Sequence, residues 1–216
     1  MENFPKIKVC GVTDAAFARR AEALGVDYLG FIFAEGSPRR VTPAQAAEIA
    51  AALSGNVKKV GVFTSTPAHE ILEIARYVPL DVVQLHSSDY GADEIQRLKA
   101  AGLEVWRLYG SSSDLEYGAD GILLDGKDPV RSDGSKGIAG GVERTGGTGR
   151  LADWKLASEL AAAGVRVVLA GGISAENATA AAATGCAILD VNSSLETAPG
   201  VKSIERLEAF MPNMVK

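Results

Sequence analysis

Short apolar-rich runs of six or seven residues recur along the chain, and each leads into a longer segment with alanine, leucine, glutamate and lysine at helical spacing. The short runs occupy residues 7–12, 28–34, 58–64, 81–86, 104–110, 121–126, 166–172 and 187–193, and they are apolar on both faces. Helices are expected over 14–24, 43–53, 67–77, 91–101, 152–163, 175–184 and 203–210, with only a weak turn at 113–117. Thr13-Asp14, Thr42-Pro43, Thr66-Pro67 and Ser174 mark their starts, each offering a cap oxygen or a proline for the first helical position. Strands apolar on both faces and separated by helices form a parallel sheet covered by helices. Eight such units predict an α/β, single-domain (β/α)8 TIM barrel over residues 1–216. An open doubly wound sheet would carry fewer strands and a G-x-G-x-x-G turn after the first, and none follows residue 12.

One segment breaks the alternation. Residues 126–150, between the sixth run and its helix, are rich in Gly, Ser and charge and too long for a tight connection, so an extended loop is expected over the C-terminal ends of the strands. It reads either as a tolerated surface insertion or as a lid.

Composition narrows the partners. With 22 Lys+Arg against 27 Asp+Glu, the 216 residues carry a formal net charge of -5, which excludes a global basic field for nucleic acid or anionic lipid. An anionic ligand must be held by a local device. Cys10 and Cys186 are far apart and lack metal-ligand spacing, and the N-terminal residues show no apolar leader. A cytoplasmic protein without metal, membrane or nucleic-acid partner is expected.

In a barrel the last residues of each strand converge on one mouth. Cys10 alone reads as a buried strand-end thiol, but beside Gly11 and a helix start it is also placed to be a base. Cys186, ahead of the eighth run, reads as core. Asp125 either caps its turn or, desolvated beneath a lid with its pKa raised, serves as a general acid. Gly171-Gly172 and Ser193-Ser194 end the seventh and eighth runs, where backbone N–H groups cradle a phosphate in barrels of this kind. Arg39, in SPRR, is either a solvated cation or a fork for a carboxylate. His86 belongs in the mouth without a proton-transfer role, with Gln84 two residues earlier on the same face; Thr64 and Arg107 or Tyr109 complete the strand-end candidates, and His69 reads as surface.

As a set, KVCGVT (8–13), GFIFAEGSPRRVTP (30–43), VGVFT (60–64), VQLHSSD (83–89), LLDG (123–126), GGTG (146–149) with DW (153–154), LAGGISAEN (169–177) and LDVNSSLETAPGVKS (189–203) resemble the phosphoribosylanthranilate isomerase family. The resemblance runs through nearly the whole chain in order. It implies a (β/α)8 barrel and an Amadori rearrangement of N-(5-phosphoribosyl)anthranilate to 1-(2-carboxyphenylamino)-1-deoxyribulose 5-phosphate. That is the third step of tryptophan biosynthesis, and the family works without metal or cofactor. By motif, Cys10 would be the general base and Asp125 the general acid. Arg39 would bind the anthranilate carboxylate, Gly171, Gly172, Ser193 and Ser194 the phosphate, and Asp190 the sugar or bridging amine. Such an enzyme is expected as a monomer or homodimer.

The chain departs from the family pattern at Asn192 for serine, at Ser194 and Ser87 for glycine, and in the length of 126–145. No lysine is expected to adjoin Cys10. Rival readings are an indole-glycerol phosphate synthase, a histidine-pathway isomerase or a silent phosphate-binding barrel. The first needs a strand-end lysine and the second aspartates after the first and fifth strands, while a binder needs neither Cys10 nor Asp125.

Overall fold

A computed structural model describes residues 4–126 and 152–213. The expected 126–150 loop, apart from Gly126, and the GGTG motif lie outside the described residues. Eight parallel strands close into a barrel in chain order: β1 (Lys6–Cys10), β2 (Tyr28–Ile32), β3 (Lys58–Phe63), β4 (Val82–Leu85), β5 (Glu104–Leu108), β6 (Gly121–Leu124), β7 (Val167–Leu169) and β8 (Ile188–Val191), with β8 paired to β1. The fold expected from the alternation is the fold observed.

The helices are α1 (Ala15–Ala23), α2 (Pro43–Ala51), α3 (Ala68–Tyr77), α4 (Ala92–Ala100), α5 (Trp154–Ala162), α6 (Ala178–Ala182) and α7 (Ile204–Phe210). Asp14 and Asp153 cap α1 and α5 by accepting from Phe17 and Leu156 N–H, and Thr42 with Gln45 forms a reciprocal capping box on α2. Where a weak fifth turn was expected, a 3-10 helix spans Ser112–Tyr117, held by Asp114 accepting from Gly110 and Ser111 N–H. Ser174 does not cap a helix as expected. Its N–H donates to Asn177 Oδ1 and its hydroxyl to Glu176, so an irregular turn delays α6 to Ala178. The sequence reading also missed a hairpin of β9 (Glu196–Ala198) and β10 (Val201–Lys202) between β8 and α7.

Alternation along each strand sorts the interior from the helix side. Outward residues such as Val9, Leu29, Phe31, Val83, Leu85, Val105, Leu169 and Leu189 pack against the helices. Inward, Tyr28, Val60, Val82, Trp106, Leu123, Val168 and Ile188 fill the waist, with Tyr28 and Trp106 edge to face at 5.1 Å. Asp27, Asp81 and Asp120, each just ahead of a strand, accept from Ile7, Lys59 and Val105 N–H on the neighbouring strand and so tie the N-terminal rim. That rim and the apolar waist leave the C-terminal mouth as the place where polar side chains collect. Among the described residues no helix is long and apolar enough to cross a membrane.

Candidate active site

The parity that sends Tyr28 and Trp106 inward also sends Lys8 and Cys10 inward on β1, Gln84 and His86 on and after β4, Asp125 after β6, and Asp190 on β8. Cys10 is buried at 6 % exposure. Its backbone opposes Gly30 of β2, and a Cβ there would stand 3.0 Å from Cys10 Sγ and 3.3 Å from Lys8 Cε. Any side chain at 30 would crowd both.

Lys8 corrects an expectation. Its side chain, wholly buried, donates from Nζ to Asp190 Oδ2 at 2.6 Å, directly across the β1–β8 register, and its Cε and Cys10 Sγ both lie over the bare backbone of Gly30. A lysine therefore does adjoin the thiol. The helix start beside Cys10 contributes less, because Asp14 already takes the Phe17 amide. Burial pushes the Cys10 thiol up, with Lys8 opposing, so the resting group is a thiol. Burial works against the Lys8 charge, but Asp190 and Cys10 together hold its ammonium above the ordinary lysine range. Burial pushes the Asp190 carboxyl up against the pull of Lys8, and among the described residues its Oδ1 has no hydrogen-bond partner.

Asp125 overturns a second expectation. Its carboxyl lies below the ordinary range although burial pushes it up, because His86 and the Gly126 N–H favour the carboxylate. His86 Nε2 is 3.3 Å from Asp125 Oδ2, while Gln84 Nε2 lies 3.3 Å from His86 Nδ1. Gln84 and the Asp125 carboxylate stand at opposite nitrogens of the His86 ring, Nδ1 and Nε2. His86 is thus joined to the acid, a role that a reading limited to strand ends left unassigned.

Arg39 is not a solvated cation. It is 9 % exposed and forks through Nε and Nη2 onto Glu196 at 2.8 and 2.7 Å. Nη1 takes no part in that fork. Glu196 also accepts from Lys202 Nζ at 2.9 Å, and Lys202 donates to Asn192 Oδ1 and O at 2.7 and 2.9 Å. Although burial pushes the Glu196 carboxyl up, the two cations hold it below the usual range. Burial pulls the Lys202 ammonium down despite Glu196, and Cys10 lies within its field. The hairpin reaches the site because Gly200 packs against the Arg39 loop: a Cβ at Gly200 would meet Pro38 O at 2.7 Å, and its φ is +84°. Glu196 and Lys202 were missed in the sequence, although both stand in the quoted LETAPGVKS.

Gly171 and Gly172 have φ of 86° and 66°, and among the described residues their N–H groups have no acceptor. The Ser193–Leu195 segment is a 3-10 turn, and Ser194 Oγ donates to Ile173 O at 2.6 Å, tying the two turns together. Ser194 is not at positive φ, so serine fits where the family has glycine. Ser87 turns toward Asp89, accepting from its N–H and donating to its carboxylate.

Other strand-end candidates fall outside the site. Arg107 faces outward, 2 % exposed, and is bonded to Asp114 and Tyr90 O behind Tyr117. Tyr109 packs with the helix-side core, Thr64 lines a separate groove with Pro67 and Tyr90, and His69 is exposed. Cys186 is buried and reaches Ala181 O, in keeping with a core role. Among the described residues no three of His, Cys, Asp and Glu are grouped to hold a metal.

The geometry agrees with similarity to known proteins. The model of the family N-(5'phosphoribosyl)anthranilate (PRA) isomerase matches residues 7–213. The N-(5'-phosphoribosyl)anthranilate isomerase of Rubrobacter xylanophilus is 40% identical over 214 residues, covering 95% of this chain and 97% of its own. Among solved structures, the phosphoribosyl anthranilate isomerase from Thermus thermophilus superposes with a TM-score of 0.81 at 35% identity, covering 96% of this chain and 97% of its own. Another such isomerase, in complex with reduced 1-(o-carboxyphenylamino)-1-deoxyribulose 5-phosphate, gives a TM-score of 0.74 at 28% identity, covering 97% and 98%. The chain belongs to the N-(5'-phosphoribosyl)anthranilate isomerase family.

Proposed function

We propose that this barrel catalyses the Amadori rearrangement of N-(5-phosphoribosyl)anthranilate in tryptophan biosynthesis, in the cytoplasm, as a monomer or homodimer, with Cys10 as base and Asp125 as acid. The observation that carries the reading is that both open onto one mouth, Cys10 from β1 and Asp125 from the end of β6, with Lys8 and Asp190 acting on both. Asp125 gives a proton to the furanose ring oxygen as the C1–O bond breaks, and the lone pair of the bridging nitrogen moves in to form an iminium. That cation acidifies the C2 proton, which Cys10 thiolate removes. The electron pair of the broken C–H bond neutralises the iminium as an enolamine, and a proton from the Cys10 thiol to C1, with the C2 hydroxyl proton passing to the Asp125 carboxylate, gives the ketone and restores both groups. No proton or electron is gained or lost overall.

The resting protonation is the reverse of the working one, since burial favours the Cys10 thiol and His86 favours the Asp125 carboxylate. The working form has its proton on Asp125, and the His86 N–H that stabilises the carboxylate also orients it. The Nη1 side of Arg39, which has no acceptor among the described residues, suits the anthranilate carboxylate, with Glu196 fixing the guanidinium plane from its other edge. The Gly171-Gly172 and Ser193-Ser194 turns offer N–H donors to the phosphate. Asp190, with Oδ1 unpartnered, suits a sugar hydroxyl or the bridging amine.

The test follows the loss of phosphoribosylanthranilate fluorescence in the parent, Cys10→Ala and Asp125→Ala. Turnover in the parent and a drop of about 10²-fold or more in each variant are expected. An inactive parent would favour a silent phosphate binder, and an active variant would remove that residue from its role.

A further inference from the structure

Among the described residues Lys8 is the one fully buried ammonium of the barrel interior, and none of the proposed chemical steps uses it. A charge so placed is costly unless paired, and a single carboxylate would satisfy the pairing. The surroundings show more than pairing. Lys8 and Cys10 are two residues apart on one strand and point inward together, and Gly30 leaves bare backbone beside Cys10 Sγ and Lys8 Cε. Asp190 Oδ2 takes one ammonium proton and anchors the chain end from β8.

We propose that Lys8 is the positioning residue of the base: its ammonium, anchored by Asp190, stands beside Cys10 and balances the negative charge that forms on sulfur as the thiol ionises. The inference rests on the reading of Cys10 as base. Several other charged groups act on this pair and do not replace Lys8. Asp190 on β8 disfavours the thiolate; Lys202 on β10 favours it less strongly than Lys8; Arg39, on the loop after β2, is neutralised by Glu196. Asp125 and His86 act from the far side through Asp190. Lys8 is therefore the cation whose removal the sulfur registers most.

The test measures the thiol itself and needs no turnover. The rate of iodoacetamide alkylation at Cys10 is followed against pH by mass mapping, which separates its peptide from that of Cys186, in the parent, Lys8→Met, Asp190→Asn and the double variant. Lys8→Met is expected to slow alkylation near pH 8 about tenfold and to move its midpoint to higher pH. The same slowing is expected when Lys8→Met is made on Asp190→Asn, a background without the unpaired buried carboxylate that threatens the fold of the single variant. Unchanged alkylation on that background would overturn the proposal, because Lys8 would then only neutralise Asp190. Should Cys10→Ala retain full isomerase activity, the base reading falls whatever the alkylation shows, so the two failures are distinguishable.

Discussion

Asp125 and Asp190 open onto the same mouth with side chains 10% and 6% exposed, yet they sit on opposite sides of the ordinary carboxylate range. On the β4–β6 side, Asp125 meets two donors, the His86 ring N–H and the Gly126 amide, and burial is overcome. On the β1–β8 side, Asp190 shares one lysine with a thiol and among the described residues keeps one oxygen without a partner, so burial prevails. Asp190 is the more deeply buried, meets fewer donors and feels the like charge of Asp125, and all three set its direction apart from that of Asp125. One side of the mouth thus binds protons loosely and the other tightly.

The comparison breaks most sharply at its reacting groups. Cys10→Ala and Asp125→Asn are each expected to lower kcat by about 10²–10⁴-fold while KM stays within a few-fold, measured by steady-state fluorescence. Arg39→Lys keeps the charge and loses the fork onto Glu196. KM is expected to rise about tenfold with kcat nearly unchanged, and an unaltered KM would detach Arg39 from substrate binding. His86→Asn removes the main donor of the β4–β6 side, so the Asp125 carboxyl is expected to titrate higher, toward Asp190, in a carbon-13 titration of the variant. The smallest effect is expected from Ser194→Gly. Serine already adopts the turn without positive φ, so KM should stay within about twofold.

Most of the barrel was legible because alternating apolar runs and helical segments reflect burial on both sheet faces, and the weak turn expected at 113–117 falls on the 3-10 helix Ser112–Tyr117. Cys10, Asp125 and the two turns were legible because strand ends must converge. Arg107 was misplaced because its run was read by its end rather than its parity: Trp106 and Leu108 point inward, so Arg107 must face the helices. Lys8 was readable from its spacing to Cys10, but a charged residue near a strand start suggests exposure unless its partner on β8 is known. Glu196 and Lys202 depend on the β9–β10 hairpin folding back over the Arg39 loop, which strand alternation does not encode. The proton preference of Asp125 depends on His86 standing beside it, and that contact joins the ends of β4 and β6 across a space the sequence does not show.

The opposition of the two sides is tested most directly by a carbon-13 titration of the aspartate carboxyls in the free protein, with Asp125 and Asp190 assigned through their asparagine variants. Asp125 is expected to titrate below the ordinary aspartate value of about 3.9 and Asp190 above it. Coincident midpoints, or the reverse order, would contradict the division of the mouth into a side that holds protons loosely and a side that holds them tightly.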